Sequence, residues 1–425
     1  MPSGKAGSFV VDTDVLVVGG GPSGAAAAYW LAKAGHDVTL VERKHYPREK
    51  TCGDGLTPRS VKQLNDMGLA DALTKHHRFE GLRSLAFGHT LEMRWPEHPD
   101  FPSYGYVVTR HDLDYLVAQN AEKVGATVLD QTEATAPIVE SGLVRGAVVK
   151  RKETGAVEEI RARYVVVADG SLSRFGRALG ASRNKSYPQG MAIRGYFTSD
   201  RHDDPFIESH LDIRDSMGNV LPGYGWIFPV GDGRINVGIG LLSTFHQWKA
   251  INTTHLQNEF VAYLQRTSDW GASPETSCGP ATGGRLPMAF SVGPQAGPTW
   301  LITGDAGGAI NPFNGEGIAY AYETGRIAAE VLDEALTTNS GLALQDYDRR
   351  LQDQYALYYK VARAFVHIIG RPELMRLLVG TGIRSQSLME WVLRIMANLL
   401  RPDELGPAEA AYKAVAAIAR MAPAA

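Results

Sequence analysis

The stretch DVLVVGGGPSGAAAAYWLAKAGHDVTLVER, residues 14–43, decides how the rest of the chain is read. An apolar run ends at a cluster of glycines, an alanine-rich segment follows, and a second apolar run closes it. Apolar runs bounded by turn residues are what strands look like when helices cover both faces of a parallel sheet. Gly19, Gly21 and Gly24 form G-x-G-x-x-G at the strand-to-helix turn. Gly19 permits the tight turn, Gly21 lets backbone approach a pyrophosphate, and Gly24 lets helix and strand pack closely. Pro22 and Ser23 open the helix, whose free N–H groups and dipole favour phosphate. Glu42 ends the second strand, where a carboxylate can accept hydrogen bonds from a ribose, with Arg43 beside it. A glycine turn that served packing alone would not call for Glu42. The motif does not by itself separate FAD from a nicotinamide dinucleotide.

Composition limits the remaining choices. The chain has 425 residues, enough for two or three domains of buried core. Lys and Arg total 43 against 46 Asp and Glu, and the basic residues are dispersed, so nothing favours nucleic acid as a partner. Cys52 and Cys278 are far apart and make neither a disulfide framework nor a zinc cluster, which fits a reducing, cytoplasmic setting. The histidines show no metal-ligand spacing, and no metal is expected. The N-terminus lacks the apolar core of a signal peptide. No stretch reaches the roughly 18–20 apolar residues of a membrane span, so any membrane contact is peripheral.

Two further segments, YVVVADGS (164–171) and TWLITGDAGG (299–308), read as buried strands ending at Asp-Gly or Gly-Asp. Between them, LRSLAFGHTLEMRWP and most of 190–290 alternate as antiparallel strands do, with few convincing helices. Helical patterns dominate from about residue 341. The expected architecture is α/β: a discontinuous Rossmann-like domain at 10–80, 105–183 and 296–340. A β-sheet substrate domain at 81–104 and 184–295 is inserted into it, and a helical region at 341–425 follows.

Resemblance adds chemistry to this frame. GDAGGAINPFNGEGIAYAYETG (304–325), ADGSLSRFGR (168–177) and VVTRHDLDYLV (107–117) resemble, in order, segments of hydroxylase-type flavoproteins. In that pattern Asp305 contacts the ribityl chain, and the glycine-rich helix start at Gly315, Gly317 and Ile318 lies against the flavin. Asp169 belongs to the Asp-Gly motif, Arg110 reaches the phosphates, and Ala134 also lines the cofactor. Taken one at a time, each segment also reads as a capped strand-to-helix turn. FAD is the implied cofactor, and no second G-x-G-x-x-G is present for a separate nicotinamide domain.

KTCGDGLTPRSV (50–61), FPSYG (101–105), LPGYGWIFPVGDGRINVGIG (221–240) and GDAGGAINPFNGEGI (304–318) are similar to the geranylgeranyl reductase family. Within it they resemble the branch that saturates one double bond of the menaquinone prenyl tail. Thr51 departs from the proline frequent in that family. The resemblance places Cys52, Gly53 and Asp54 beside the flavin. It makes Cys52, Tyr224 and Trp226 the catalytic candidates, and Tyr224, Trp226, Phe228 and Pro229 the substrate wall. For Cys52 the plain alternative is a small polarizable filler, and for Trp226 and Phe228 it is core packing. The implied reaction is hydride transfer from reduced flavin N5 plus a proton to an alkene that has no adjacent carbonyl. Tyr224, Cys52 and water stand as proton donors, with Trp226 and Phe228 offering π faces to a developing cation. Competing readings are a polyprenyl or geranylgeranyl diphosphate reductase, and a flavin monooxygenase or halogenase on the same fold. The electron donor stays open.

A prenyl-quinone partner implies lipid contact. In SLMEWVLRIMANLL (387–400), Glu390, Arg394 and Asn398 recur at every fourth position, predicting one polar stripe on an otherwise apolar helix. RAFVHIIGRPELMRLLVG (363–380) adds apolar surface broken at Pro372. The plain alternative for 387–400 is a helix buried in the core or a dimer contact. With a lipid substrate, the expected location is the inner face of the cell membrane.

Overall fold

The computed structural model describes residues 10–421, apart from 246, 402 and 405. The opening stretch folds as strand Val10–Val18, helix Pro22–Lys33 and strand Val38–Val41. The first strand lies between Val38–Val41 and Val157–Val167, parallel to both, with Val15 opposite Val38 and Tyr164. Strand Trp300–Ile302 extends the sheet on one side and Thr127–Leu129 on the other, again in parallel. Val15, Leu16, Val17, Leu40, Val165, Val166 and Leu301 have no solvent exposure. Helices Pro22–Lys33 and Ile318–Thr337 pack on one face, and the Thr132–Glu140 and Leu143–Arg151 pair joins through Val157–Val167. Burial on both faces is why these strands carry no alternation.

A second sheet of seven strands, among the described residues, runs in the order Thr282–Pro287, Gln189–Thr198, Arg234–Leu242, Gly223–Pro229, Phe206–His210, Gly81–Ala86, His89–Arg94. Its pairs are antiparallel except Phe206–His210 with Gly81–Ala86. The last two strands form a hairpin whose turn, Phe87-Gly88, holds both residues at positive φ (51° and 78°). That geometry matches the twist of the flanking strands.

One face of this sheet departs from the sequence reading of 190–290. Helix Thr253–Thr267 covers it, burying Leu256, Phe260, Val261 and Leu264 against Ile193, Ile235, Val237 and Ile239. Asn252 caps the helix through an acceptor bond from His255 N at 3.1 Å. The opposite face, with Tyr196, Asn236, Phe228 and Trp226, is turned to the Cys52 loop.

The tail is helical: Asp346–Ile369, Pro372–Gly382, Gln386–Met396 and Pro407–Met421, with the first break just before Pro372. The predicted Glu390–Arg394–Asn398 stripe does not form. The helix ends at Met396, and Asn398 stands in the left-handed region (φ 54°) with its carbonyl accepting from Arg59 Nη1 at 2.9 Å. Glu390 is exposed, while Arg394 is half-buried toward Glu409. Met389 and Leu393 form the buried side instead.

The tail docks through hydroxyls as well as apolar rings. Arg59 makes a forked pair with Glu323 (2.7 and 2.9 Å), and Tyr355 donates to the same carboxylate at 2.7 Å. Asn311 donates to Tyr358 Oη at 3.1 Å and to the Met396 carbonyl at 3.0 Å. Tyr359 donates to the Ala309 carbonyl at 2.6 Å.

Candidate active site

The glycine turn is as tight as its spacing requires. Gly19 sits at φ 105°, and a methyl there would lie 2.4 Å from the Ala168 carbonyl oxygen. A methyl on Gly24 would lie 1.9 Å from the Gly19 oxygen. Gly21 caps helix Pro22–Lys33, with Pro22 in the first turn and no side chain bonded to the free N–H groups. A methyl on Gly21 meets only Arg48 Nη2 at 3.9 Å and Arg110 Nη2 at 4.0 Å. Open backbone donors bracketed by two guanidinium groups suit a pyrophosphate.

Both cations are held by buried acids. Arg110 opens helix Arg110–Lys123 and forks onto Asp114 at 2.7 and 2.8 Å. Arg48 bridges Asp114 at 2.9 Å and Glu42 at 3.1 Å. Glu42 directly follows its strand, is buried, and also accepts from Gly20 N at 3.1 Å. Arg43 is exposed beside it, and half-buried Ala134 lies in the strand whose first residue, Thr132, bonds the Glu42 carbonyl at 2.8 Å. The other predicted residues converge from distant positions. Buried Ser23 packs under Gly304, and Gly317, just before helix Ile318–Thr337, faces Asp305 Oδ1. Gly315 takes a positive φ of 75°, and Ile318 is buried. Asp169 Oδ2 accepts from Phe175 N at 3.0 Å, whereas Oδ1 is buried without a partner. Uncapped helix ends, the open face at Gly21 and that orphaned oxygen all fit a dinucleotide.

The Cys52 loop meets the second sheet. A methyl on Gly53 would fall 2.8 Å from Phe228 Cε2 and 3.4 Å from Trp226 Nε1. Trp226 is buried and lies on Gly238, where a methyl would approach its Cζ2 to 2.3 Å. Rings of Tyr224, Trp226 and Phe228 follow one another at 5.9 and 6.2 Å between centroids. Pro229 is buried at the strand end opposite Ile235. The Tyr224 hydroxyl donates to the Asn314 carbonyl at 2.7 Å, and burial pushes it up to about 12. Cys52 is half-buried; burial pushes its thiol up, and the Arg110 guanidinium pulls the other way. Cys278 is exposed and far along the chain from this loop.

Asp54 takes a left-handed φ of 67° with no exposure. Burial pushes its carboxyl up to about 6 against the pull of Tyr196, Arg194 and Asn236. Glu316 accepts from Thr57 and, at 3.4 Å, from Ser60, while its Oε2 is buried and unpartnered. Burial pushes it up to about 7. Sequence reasoning missed Arg48, Asp114, Tyr196, Asn236 and Glu316. Asn236 alone carried a signal, a polar residue inside an apolar strand; the others gain their roles from partners far along the chain.

Comparison with known proteins agrees with this geometry. A family profile described as an FAD binding domain matches residues 12–196. Menaquinone reductase from Mycobacterium tuberculosis (strain ATCC 25618 / H37Rv) is 39% identical over 391 residues, covering 92% of each chain. Digeranylgeranylglycerophospholipid reductase 1 from Methanopyrus kandleri is 30% identical, covering 90% of this chain and 97% of its own. The chain belongs to the menaquinone and geranylgeranyl reductase family. It is an FAD-dependent oxidoreductase.

Among solved structures, a geranylgeranyl bacteriochlorophyll reductase-like protein from Thermoplasma acidophilum superposes with a TM-score of 0.77 at 23% identity, covering 96% of this chain and all of its own. A flavin-dependent brominase shares the fold at a TM-score of 0.73 and 18% identity, covering 97% of this chain and all of its own. The fold alone therefore does not separate a reductase from a halogenase. In this reductase the tail also leaves apolar side chains in solvent: Leu377 is 64% and Leu378 47% exposed on helix Pro372–Gly382. Ile368 and Leu388 project from the adjoining helix ends, and Arg371, Arg376 and Arg384 are exposed alongside. No helix among the described residues is long and apolar enough to cross a membrane.

Proposed function

We propose that the protein saturates one carbon–carbon double bond of an isoprenoid chain, and that this chain is the prenyl tail of menaquinone. The carrying observation is the Cys52 loop pressed onto the Tyr224–Trp226–Phe228 face, in a chain 39% identical to a menaquinone reductase over 92% of its length. Bound and reduced, FAD supplies the hydride. The chain must bind the hydrocarbon, keep water out and provide a proton. Trp226 and Phe228 give an apolar wall with π faces for positive charge developing at the tertiary carbon. Tyr224 is a poor proton source, because its hydrogen is already committed to the Asn314 carbonyl. Burial keeps the Cys52 thiol protonated, which is the condition for it to act as an acid. Arg48 and Arg110 hold the pyrophosphate, and Glu42 the ribose, of FAD.

Access to a bilayer-dissolved quinone is supported by Leu377 and Leu378 flanked by Arg371, Arg376 and Arg384, an apolar face with cations suited to anionic headgroups. On this reading the protein works at the inner face of the cell membrane, with this helix as its contact. The test is anaerobic incubation of the reduced holoprotein with menaquinone, followed by mass spectrometry of the lipid. The expected product carries two more hydrogens in its side chain. Unchanged menaquinone beside saturated geranylgeranyl diphosphate or geranylgeranyl lipid would reassign the substrate. In a parallel incubation under air, oxygen consumed in step with a hydroxylated or halogenated product would overturn the reductase reading.

A further inference from the structure

Asn236 lies within strand Arg234–Leu242 and has no solvent exposure. A primary amide has an acceptor oxygen and two donor hydrogens, and a buried one is costly unless they are used. Here they all are. Oδ1 accepts from Trp226 Nε1 at 2.9 Å. Nδ2 donates to the Cys52 carbonyl at 2.9 Å and to Asp54 Oδ2 at 2.8 Å. One partner stands on the adjacent strand and the other two on a loop more than 180 positions earlier. The loop also packs Gly53 and Gly55 against the Phe228 ring, and Glu49 just before it pairs with Arg194 at 3.0 Å. Asp54 Oδ2 takes the Tyr196 hydroxyl at 2.5 Å, Thr51 reaches the Gly283 carbonyl at 3.5 Å, and the Lys50 carbonyl accepts from Arg194 at 3.4 Å. Asp54 Oδ1 accepts from Arg110 N at 3.3 Å, which carries the connection on to the helix start beside Gly21.

We propose that Asn236 is a positioning residue that locks the Trp226 indole and the Cys52–Asp54 loop into one unit. The wall assigned to the hydrocarbon and the loop assigned to the cofactor then keep a fixed spacing. The inference rests on the proposed function only for naming the hydrocarbon; the coupling of Trp226 to FAD binding stands apart from it. Removing the Trp226 N–H frees Asn236 Oδ1, so a substitution on the substrate wall is transmitted to the loop at the cofactor.

Three variants separate the contacts. Trp226→Phe keeps a ring and removes the N–H. Asn236→Asp keeps the acceptor for Trp226 but loses both donors and sets a second carboxyl against Asp54. Asn236→Ala removes everything. In cofactor-free protein, hydrogen–deuterium exchange of residues 51–56 should quicken by about tenfold or more in both Asn236 variants, with strand 234–242 still protected, since both lose the buried donors that hold the loop. FAD titration should show each single variant weakening binding. The Trp226→Phe effect should fall at least about fivefold when Asn236 is already Ala. Loop exchange equal to wild type in Asn236→Asp, or effects on FAD affinity that simply multiply, would overturn the proposal. If Asn236→Ala does not fold, Asn236→Asp decides alone: it keeps the Trp226 acceptor, so faster exchange of residues 51–56 reports the lost donors to the loop. An absence of prenyl reduction with the coupling intact would sink the substrate assignment and leave this role standing.

Discussion

Replacing Glu316 by Gln in cofactor-free protein should stabilise it at alkaline pH and scarcely alter it in acid. The carboxyl is raised from 4.5 to about 7, chiefly by burial, with Oε2 unpartnered. Below pH 4.5 the folded and unfolded chains both carry the proton, and the group contributes no difference. Between there and pH 7 the unfolded chain releases the proton while the folded chain keeps it, so stability falls as pH rises. At about 1.36 kcal/mol per unit, the full loss is about 3 kcal/mol. Gln cannot titrate, and its oxygen can still accept from Thr57 and Ser60. Its advantage over wild type should therefore grow from under about 1 kcal/mol at pH 5 to about 3 kcal/mol at pH 8. Urea denaturation at the two pH values, followed by far-ultraviolet circular dichroism, reads it directly. The same offset at both would show that Glu316 ionises normally and that the burial argument is wrong.

Gly238→Ala should cost about 2–5 kcal/mol in denaturant unfolding, because the new methyl meets Trp226 Cζ2 at 2.3 Å and the Ile193 carbonyl at 2.6 Å. An equally stable variant would mean that the indole is free to move. Arg48→Gln should weaken FAD binding by about tenfold or more in a fluorescence titration, since it removes a cation from the Gly21 face and leaves buried Glu42 without the Arg48 charge beside it. Leu377→Ser with Leu378→Ser should lower binding to anionic lipid vesicles by about tenfold or more, while leaving reduction of detergent-dispersed substrate intact. Undiminished vesicle binding would remove this helix as the membrane contact.

What could be read beforehand follows from the range of each constraint. Gly19, Gly21, Gly24 and Glu42 act within a single strand–helix–strand unit, so local spacing encodes their job. The alternation of LRSLAFGHTLEMRWP was legible as strand for the same reason, its period being local, although the turn at Phe87-Gly88 was not read. Arg48 and Asp114 pair across 66 positions, and Tyr196 and Asp54 across 142, and no local pattern announces such a meeting. Helix Thr253–Thr267 had both an asparagine cap and apolar residues at helical spacing, but it was lost among flanking strands whose alternation set the expectation for the whole region. The Glu390–Arg394–Asn398 stripe failed differently. Periodicity says nothing of where a helix stops, and Asn398 takes the left-handed position just past the helix end, where Leu399 N bonds back to the Arg394 carbonyl at 2.9 Å.

The knot of Arg59, Glu323, Tyr355 and the Asn398 carbonyl has a consequence for engineering. It ties four separate pieces of chain around one sequestered charge pair, so cutting the polypeptide before residue 346 would strip Glu323 of its tyrosine and Arg59 of its carbonyl. A shortened enzyme should precipitate rather than merely lose a lid. On the proposed function, the entrance for the isoprenoid chain is then to be sought further out, in the segment bearing Leu377 and Leu378, where among the described residues no such buried ion pair ties the helix down.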